Sequence, residues 1–435
     1  MFARAVDHSV VRGGLTLAGG ILAGNVIGFA RVALTAYLLG THTRADSLAV
    51  AMGPLDTVNS VLTNSMLFAF VPMLTARRDG ERAALFLKLR GTFVWVFGGF
   101  AACLMLAAPW LMRALAPGLD AEAFRVAVNL LRILAVSSAA AGLAALYSAL
   151  LYTERRFAPT AFYQASINVW IIVAALTLWQ LLGVYAFAIG FTAGACAQLG
   201  IVAYVGRSSL RDAKLAACDL HWGEILFKPA FFLVYATALG LNITFTRAYA
   251  THAGSGVAAA LEYCIRGVGV PLALVVQPFS NSLLPEIARL RSLGRLRDAF
   301  RLIGRTLALA ALVAVVGCAF ALALRHPVIA LFFQRGSFTA DSTGLVSAVF
   351  LGLGPSLIGW SLFEILSRSL FALDHRWPPV LAAVIPILLN VSLTLRFGLS
   401  QPEWIGAGAS LGTLAGFAAL FTLVTANRRL WLTQK

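Results

Sequence analysis

The chain holds 435 residues, of which 60% are hydrophobic and only 12% charged, and its formal net charge is +16 at pH 7. That balance excludes an ordinary soluble domain. It also excludes a nucleic-acid module as the reason for the charge, because no basic soluble segment is present to carry one.

Counting roughly 20 apolar residues for each bilayer crossing, we predict twelve spans. Their limits are about 13–39, 47–74, 91–115, 126–152, 159–181, 183–205, 225–251, 256–284, 303–333, 343–372, 378–397 and 404–426. The expected fold class is therefore an all-α polytopic membrane protein. The first apolar segment runs straight into a full-length span, so no cleavable signal peptide is expected. The fifth and sixth spans are separated only by the turn at Leu182-Gly183, and the long span 303–333 is predicted to break near Pro327. Arg31, Arg247, Arg266 and Arg368 lie inside spans, and Arg132 lies about two turns inside another. Each costs roughly 2.5–3.5 kcal/mol at bilayer depth, so each needs a wet cavity or a partner.

The remaining cations set the expected orientation. With a cytoplasmic N-terminus, the inner segments hold Arg4, Arg12, Arg77, Arg78, Arg82, Lys88, Arg90, Arg155, Arg156, Arg207, Arg211, Lys214 and Lys228. They continue with Arg289, Arg291, Arg295, Arg297, Arg301, Arg305, Arg376, Arg428, Arg429 and Lys435. The outer segments hold only Arg44, Arg113, Arg125, Arg325, Arg335 and Arg396. This inner bias predicts cytoplasmic termini and an attraction to anionic lipid heads.

An internal repeat orders the spans into two halves. Ser148–Pro159 (SALLYTERRFAP) overlays Arg368–Pro379 (RSLFALDHRWPP) without a gap at an offset of 220, and Asn168 and Asn390 follow the two prolines at nearly equal distance. Val71-Pro72 resembles Leu284-Pro285, Arg31 has a counterpart in Arg247, and Gly183-Val184-Tyr185-Ala186 matches Gly406-Ala407-Gly408-Ala409. The expected organisation is an N-terminal lobe over 1–215 and a C-terminal lobe over 216–435, six helices each. An even number of helices makes the halves parallel, related by a pseudo-two-fold axis along the membrane normal. A cleft between such lobes is where a transporter holds its substrate.

Glu262 and Arg266 are four residues apart, as are Glu364 and Arg368, so each pair can touch along one helix face. Two readings stand for each pair: mutual neutralisation that lets the helix insert, or part of a binding site. Arg31 has no acid within a turn; Asp46 at the mouth of the second span and Asp56 within it are candidate partners. Guanidinium forks in a low-dielectric cavity suit phosphate oxygens and reject cationic solutes. Asn25, Asn59, Thr63, Asn64 and Ser65 are placed to contact sugar hydroxyls or to hydrogen-bond neighbouring helices. The candidate substrate-binding residues are thus Arg31, Arg247, Arg266, Glu262, Asp46, Arg368, Glu364 and Asn25.

Catalysis finds no foothold. The sequence has no HExxH or P-loop motif, and no nucleophile paired with a base, so no catalytic residues are expected. Its five cysteines are scattered without a CxxC pair, and its six histidines show no metal-ligand spacing, so no metal or cofactor is expected.

At these residues the chain resembles the MurJ/MviN family, the lipid II flippases of the MOP exporter superfamily. Gly28-Phe29-Ala30-Arg31 is similar to the family's first-helix GFxRD motif, Ala45-Asp46 to the acid opening helix two, and Phe70-Val71-Pro72 to that helix's end. The stretches 154–157 and 183–199 resemble helices four to six. The most specific matches are EYCIRGVGVPLALVVQPFSNSLLPEIARL (262–290) and LFFQRGSFTADST (331–343), followed by 367–380 and 406–417. The resemblance implies a two-lobe fold whose cationic central cavity receives a lipid-linked diphosphate sugar, with Arg31 and Arg266 as cavity arginines and Asp46 as an important acid. Departures are Asn25 in place of a first-helix arginine and Val32 in place of the aspartate after GFxR. Thr57-Val58-Asn59 stands for an arginine pair, and the family's last two helices, which help form a lipid-tail groove, are not predicted. The resemblance implies a monomeric flippase of the bacterial inner membrane that moves lipid II, or a related lipid-linked oligosaccharide, to the outer leaflet. A multidrug or solute exporter of the same superfamily and a membrane-embedded transferase are the alternative readings.

Overall fold

The computed structural model of the chain describes residues 8–75, 77, 79–154, 156, 158–210, 222–271, 283, 286–287, 289–397 and 401–433. Arg4, Arg78, Arg155, Arg211, Lys214 and Lys435, and part 272–282 of the eighth expected span, lie outside the described residues.

Apolar runs punctuated by prolines and glycines give only helices among the described residues. In chain order those longer than four residues are α1 His8–Leu39, α2 Thr43–Thr75, α3 Asp79–Leu115, α4 Ala121–Thr153, α5 Tyr163–Leu182, α6 Tyr185–Gly206, α7 Trp222–Ala250 and α8 Val257–Pro271. They continue as α9 Leu296–Ala323, α10 Arg325–Phe333, α11 Ala340–Leu353, α12 Ser356–Ala372, α13 Trp377–Ala382, α14 Val384–Phe397 and α15 Ala407–Thr433. Local chemistry sets several ends. The Asp120 carboxylate accepts the Ala123 amide (2.7 Å) at the start of α4, and the Thr339 hydroxyl accepts that of Ser342 at the start of α11.

Of the twelve spans expected, eight helices are long and apolar enough to cross a membrane among the described residues, or nine if the bent pair α11 and α12 counts as one. The count covers the described residues alone. α2 carries Asp46, Asp56, Asn59 and Ser65, α7 carries Asn242 and Arg247, and the described part of α8 is only 15 residues long. The expected break near Pro327 falls at Leu324, with Pro327 in the first turn of α10, where its missing N–H costs nothing. The span expected over 343–372 is instead two helices bent by 44°. Gly354-Pro355 is the cause, since a proline there cannot continue the helical ladder.

The chain divides into two compact units. The first comprises Met1–Thr35, Ser47–Ala114 and Asp120–Leu233, and the second comprises Ala36–Asp46, Leu115–Leu119 and Val234–Lys435. In the first, Phe70 and Leu74 of α2, Phe86 and Leu89 of α3, and Leu146 and Leu150 of α4 form a dry core. Phe86 meets Tyr147 edge-on with ring centroids 4.9 Å apart.

The same architecture recurs inside each unit. α6 presents Gly190 and Gly194 to the Ile171 and Ile167 backbone of α5, and α15 presents Gly408 and Gly412 to Asn390 and Pro386 of α14. Each glycine pair is a GxxxG seam in which an added Cβ would collide with the facing helix. Each unit also has a buried asparagine clamp. Asn168 on α5 donates to the Gly24 carbonyl of α1 (3.2 Å), while Asn390 on α14 donates to Asn242 Oδ1 (2.8 Å) and Thr246 Oγ1 (2.9 Å) of α7. A buried acceptor left unmade costs about 1–3 kcal/mol. Asn390→Ala, which strands two side-chain acceptors, should therefore lower the thermal midpoint of the detergent-purified protein more than Asn168→Ala, which strands one carbonyl. Equal midpoints for the two variants would contradict this accounting.

Candidate functional site

The α7–α8 hairpin of the second unit is tight, with Gly254 and Ser255 near its tip. An antiparallel hairpin pairs positions equidistant from its tip, and Arg247 and Glu262 straddle it symmetrically. Arg247 donates from Nε (3.1 Å) and Nη2 (2.9 Å) to Glu262 Oε2. From one turn further along α8, Arg266 Nε donates to the other oxygen, Oε1, at 3.0 Å. One carboxylate thus bridges two guanidiniums, and the three groups together carry one surplus positive charge.

Burial grades the three. The Arg247 side chain is 6% exposed, Glu262 18% and Arg266 32%. Arg247 Nη1 is buried and makes no hydrogen bond among the described residues. In low dielectric such a cluster holds its charges only because each has a partner, and its surplus cation favours an anion over a cation.

Asp46 places this hairpin. Both its oxygens accept backbone amides, Gly256 N–H at 2.5 Å and Ala259 N–H at 2.8 Å, so a buried carboxylate from the start of α2 caps the N-terminus of α8. Gly256 has φ +86°, open to glycine alone at low cost, and the Thr41 carbonyl lies where a Cβ would stand. The Tyr263 hydroxyl donates to the Gly40 carbonyl (2.8 Å), and the hydroxyls of Thr41 and Ser342 are 2.8 Å apart. The α1–α2 turn is thereby stitched to α8 and α11.

The other expected residues fall elsewhere. Glu364 and Arg368 form their own ion pair along α12 (2.5 Å), as their spacing predicted. Arg31 (8% exposed) and half-buried Asn25 lie on α1 in the first unit. Arg132 is exposed on α4. Among the described residues no group of His, Cys, Asp and Glu could hold a metal ion. At the end of α12, Arg376 (2.7 Å) and Arg291 (3.2 Å) hold the Asp374 carboxyl below the ordinary carboxylate range, but such exposed pairs are screened by water.

Sequence spacing found Glu262–Arg266 and Glu364–Arg368 but missed Arg247–Glu262 and the role of Asp46 in capping α8. The first was detectable as two opposite charges equidistant from the Gly254-Ser255 turn. The second joins residues more than 200 positions apart, and no local pattern announces it.

An all-helical chain with these features has the fold of the MOP-superfamily membrane transporters. A structure titled lipid II flippase MurJ, inward closed conformation, superposes with a TM-score of 0.84 at 20% identity, covering 94% of this chain and 87% of that one. An inward-facing multidrug resistance MATE transporter of the MOP superfamily superposes with a TM-score of 0.80 at 14% identity, covering 95% and 99%. The chain belongs to the MurJ family, described as lipid II flippase MurJ, whose sequence profile matches residues 35–435. Asn25 and Arg31 precede the matched stretch. A probable lipid II flippase MurJ of Rhizobium meliloti is 26% identical over 442 residues, covering 93% of this chain and 81% of the relative. A lipid II flippase MurJ of Burkholderia cenocepacia is 26% identical over 438 residues, covering 93% and 83%. The chain is accordingly a multi-pass membrane flippase of this family, not an enzyme, and the transferase reading is set aside.

Removing the α8 cap should tell on stability. Asp46→Ala loses both amide bonds and the charge facing the helix terminus, and we expect a loss of about 1–2 kcal/mol in unfolding stability. Asp46→Asn keeps one acceptor oxygen and should fall between wild type and alanine in a thermal melt. A melt of Asp46→Ala indistinguishable from wild type would show that the cap does not hold α8.

Proposed function

We propose that the chain carries a lipid-linked saccharide diphosphate, lipid II or a related lipid-linked oligosaccharide, from the inner to the outer leaflet of the bacterial inner membrane. The observation that carries this reading is the Arg247–Glu262–Arg266 cluster, anchored on the buried Arg247, with its surplus positive charge. A diphosphate offers oxygens in pairs at the spacing a guanidinium fork takes, and the lipid tail has no need to leave the bilayer. Arg247 and Arg266 would meet the diphosphate, and Glu262 would hold the two guanidiniums in its absence. Arg368 and Glu364 of α12 would contribute further polar contacts to the headgroup, and Arg31 and Asn25 are separate candidates carried by the first unit. Asp46 would act by holding α8 in register.

Alternating access is the mechanism we favour, and relatives with this fold are known in inward-facing and outward-facing forms. The surplus of cations on alternate connecting segments supports cytoplasmic termini. The chain would work as a monomer. A second reading, export of drugs or other solutes, draws on the likeness to the MATE transporter. Cationic drugs fit it poorly, because a cluster with surplus guanidinium repels them.

Two experiments test this function. Arg31→Ala or Arg266→Ala should abolish flipping of a lipid-linked diphosphate sugar in reconstituted vesicles while the protein still accumulates in the membrane. Arg→Lys should recover only part, since an ammonium keeps the charge but loses the fork. Full flipping by Arg266→Ala would remove Arg266 from the substrate path. For orientation, cysteines placed at Ser255 and Glu122 in a cysteine-free background should react with an impermeant thiol reagent from outside the cell, and one at Ser292 should not. The reverse pattern would overturn the assignment of the termini.

A further inference from the structure

We propose that Glu262 is a resident competitor for the transported anion, holding both guanidiniums until a diphosphate displaces it and helping to evict the diphosphate afterwards. This rests on the transport of a diphosphate argued above and adds a specific device to it. The geometry is that of an anion mimic. The Glu262 carboxylate takes Arg247 on Oε2 and Arg266 on Oε1, the same paired-oxygen recognition that a diphosphate would satisfy.

Burial supplies the asymmetry that exchange requires. Arg247, 6% exposed, is fixed in the hairpin and keeps Nη1 buried without a hydrogen bond among the described residues. Arg266 and Glu262 are more open, at 32% and 18%. Glu262 can therefore turn away into a wetter environment while Arg247 stays as the anchor, and neither guanidinium is left bare in the apolar interior at any stage. Two bare guanidiniums here would be costly and would hold an anion too tightly to let it go. Swapping one carboxylate for one diphosphate avoids both penalties.

The test is binding of farnesyl diphosphate to the full chain in nanodiscs, with farnesol as the control for tail binding alone. Glu262→Gln removes the competing charge and should bind farnesyl diphosphate at least about tenfold more tightly than wild type, while flipping more slowly because release is impeded. Glu262→Asp keeps the charge, but its shorter side chain cannot span both arginines, so it should also bind more tightly, by a smaller factor. A merely structural glutamate would give neither gain. If Glu262→Gln gains and Glu262→Asp does not, the effect is one of net charge and the competitor role is overturned. If neither binds more tightly while wild type binds, it is overturned as well. If Glu262→Gln fails to accumulate, Glu262→Asp decides alone: tighter binding supports the competitor, and unchanged or weaker binding overturns it. Failure of wild-type protein to prefer farnesyl diphosphate over farnesol would instead overturn the diphosphate reading itself.

Discussion

A single carboxylate shared by two guanidiniums sets the terms for the rest of this structure. Arg247 sits at the end of an apolar helix with almost no access to water, a position that is costly for a cation without a partner. Glu262 meets that need from across the hairpin and, with its second oxygen, holds Arg266 as well. Because two cations share one anion, the cluster is compensated enough to fold and still carries a surplus positive charge. That combination is what an anion-carrying site in a membrane requires: enough compensation to fold, and a remaining field to attract cargo.

The surrounding architecture serves to hold that hairpin. Asp46 caps α8 from a different helix, the Tyr263 hydroxyl ties α8 to the Gly40 carbonyl, and the backbone approach of Thr41 confines position 256 to glycine. Each of these is a backbone interaction and so resists the side-chain fluctuation that would blur the site. Behind them, the glycine seams of α14 and α15 and the Asn390 clamp onto α7 fix the helix that delivers Arg247. In apolar surroundings helices associate through close backbone packing and buried hydrogen bonds, which is why small residues and asparagines recur at these contacts.

Much of this was legible in the chain. Composition and span length foretold an all-helical membrane protein, and the overlay of 148–159 on 368–379 foretold two similar halves, now visible as matching glycine seams and asparagine clamps. Four-residue spacing identified both glutamate–arginine pairs. The expected continuous helix over 343–372 missed the bend at Gly354-Pro355, although proline chemistry pointed to it. The Asp46 cap was beyond reach because its partners are amides, which every residue possesses and no sequence pattern marks.

The central claim is that the guanidiniums of Arg247 and Arg266 are the diphosphate-binding groups. The most direct measurement is an experimental structure, by electron cryomicroscopy in nanodiscs, of the chain with farnesyl diphosphate bound. We predict diphosphate density within hydrogen-bonding distance of Arg266 and Arg247, with the Glu262 carboxylate turned away from at least one of them. Density at another location, with Glu262 still bridging both arginines, would contradict the account.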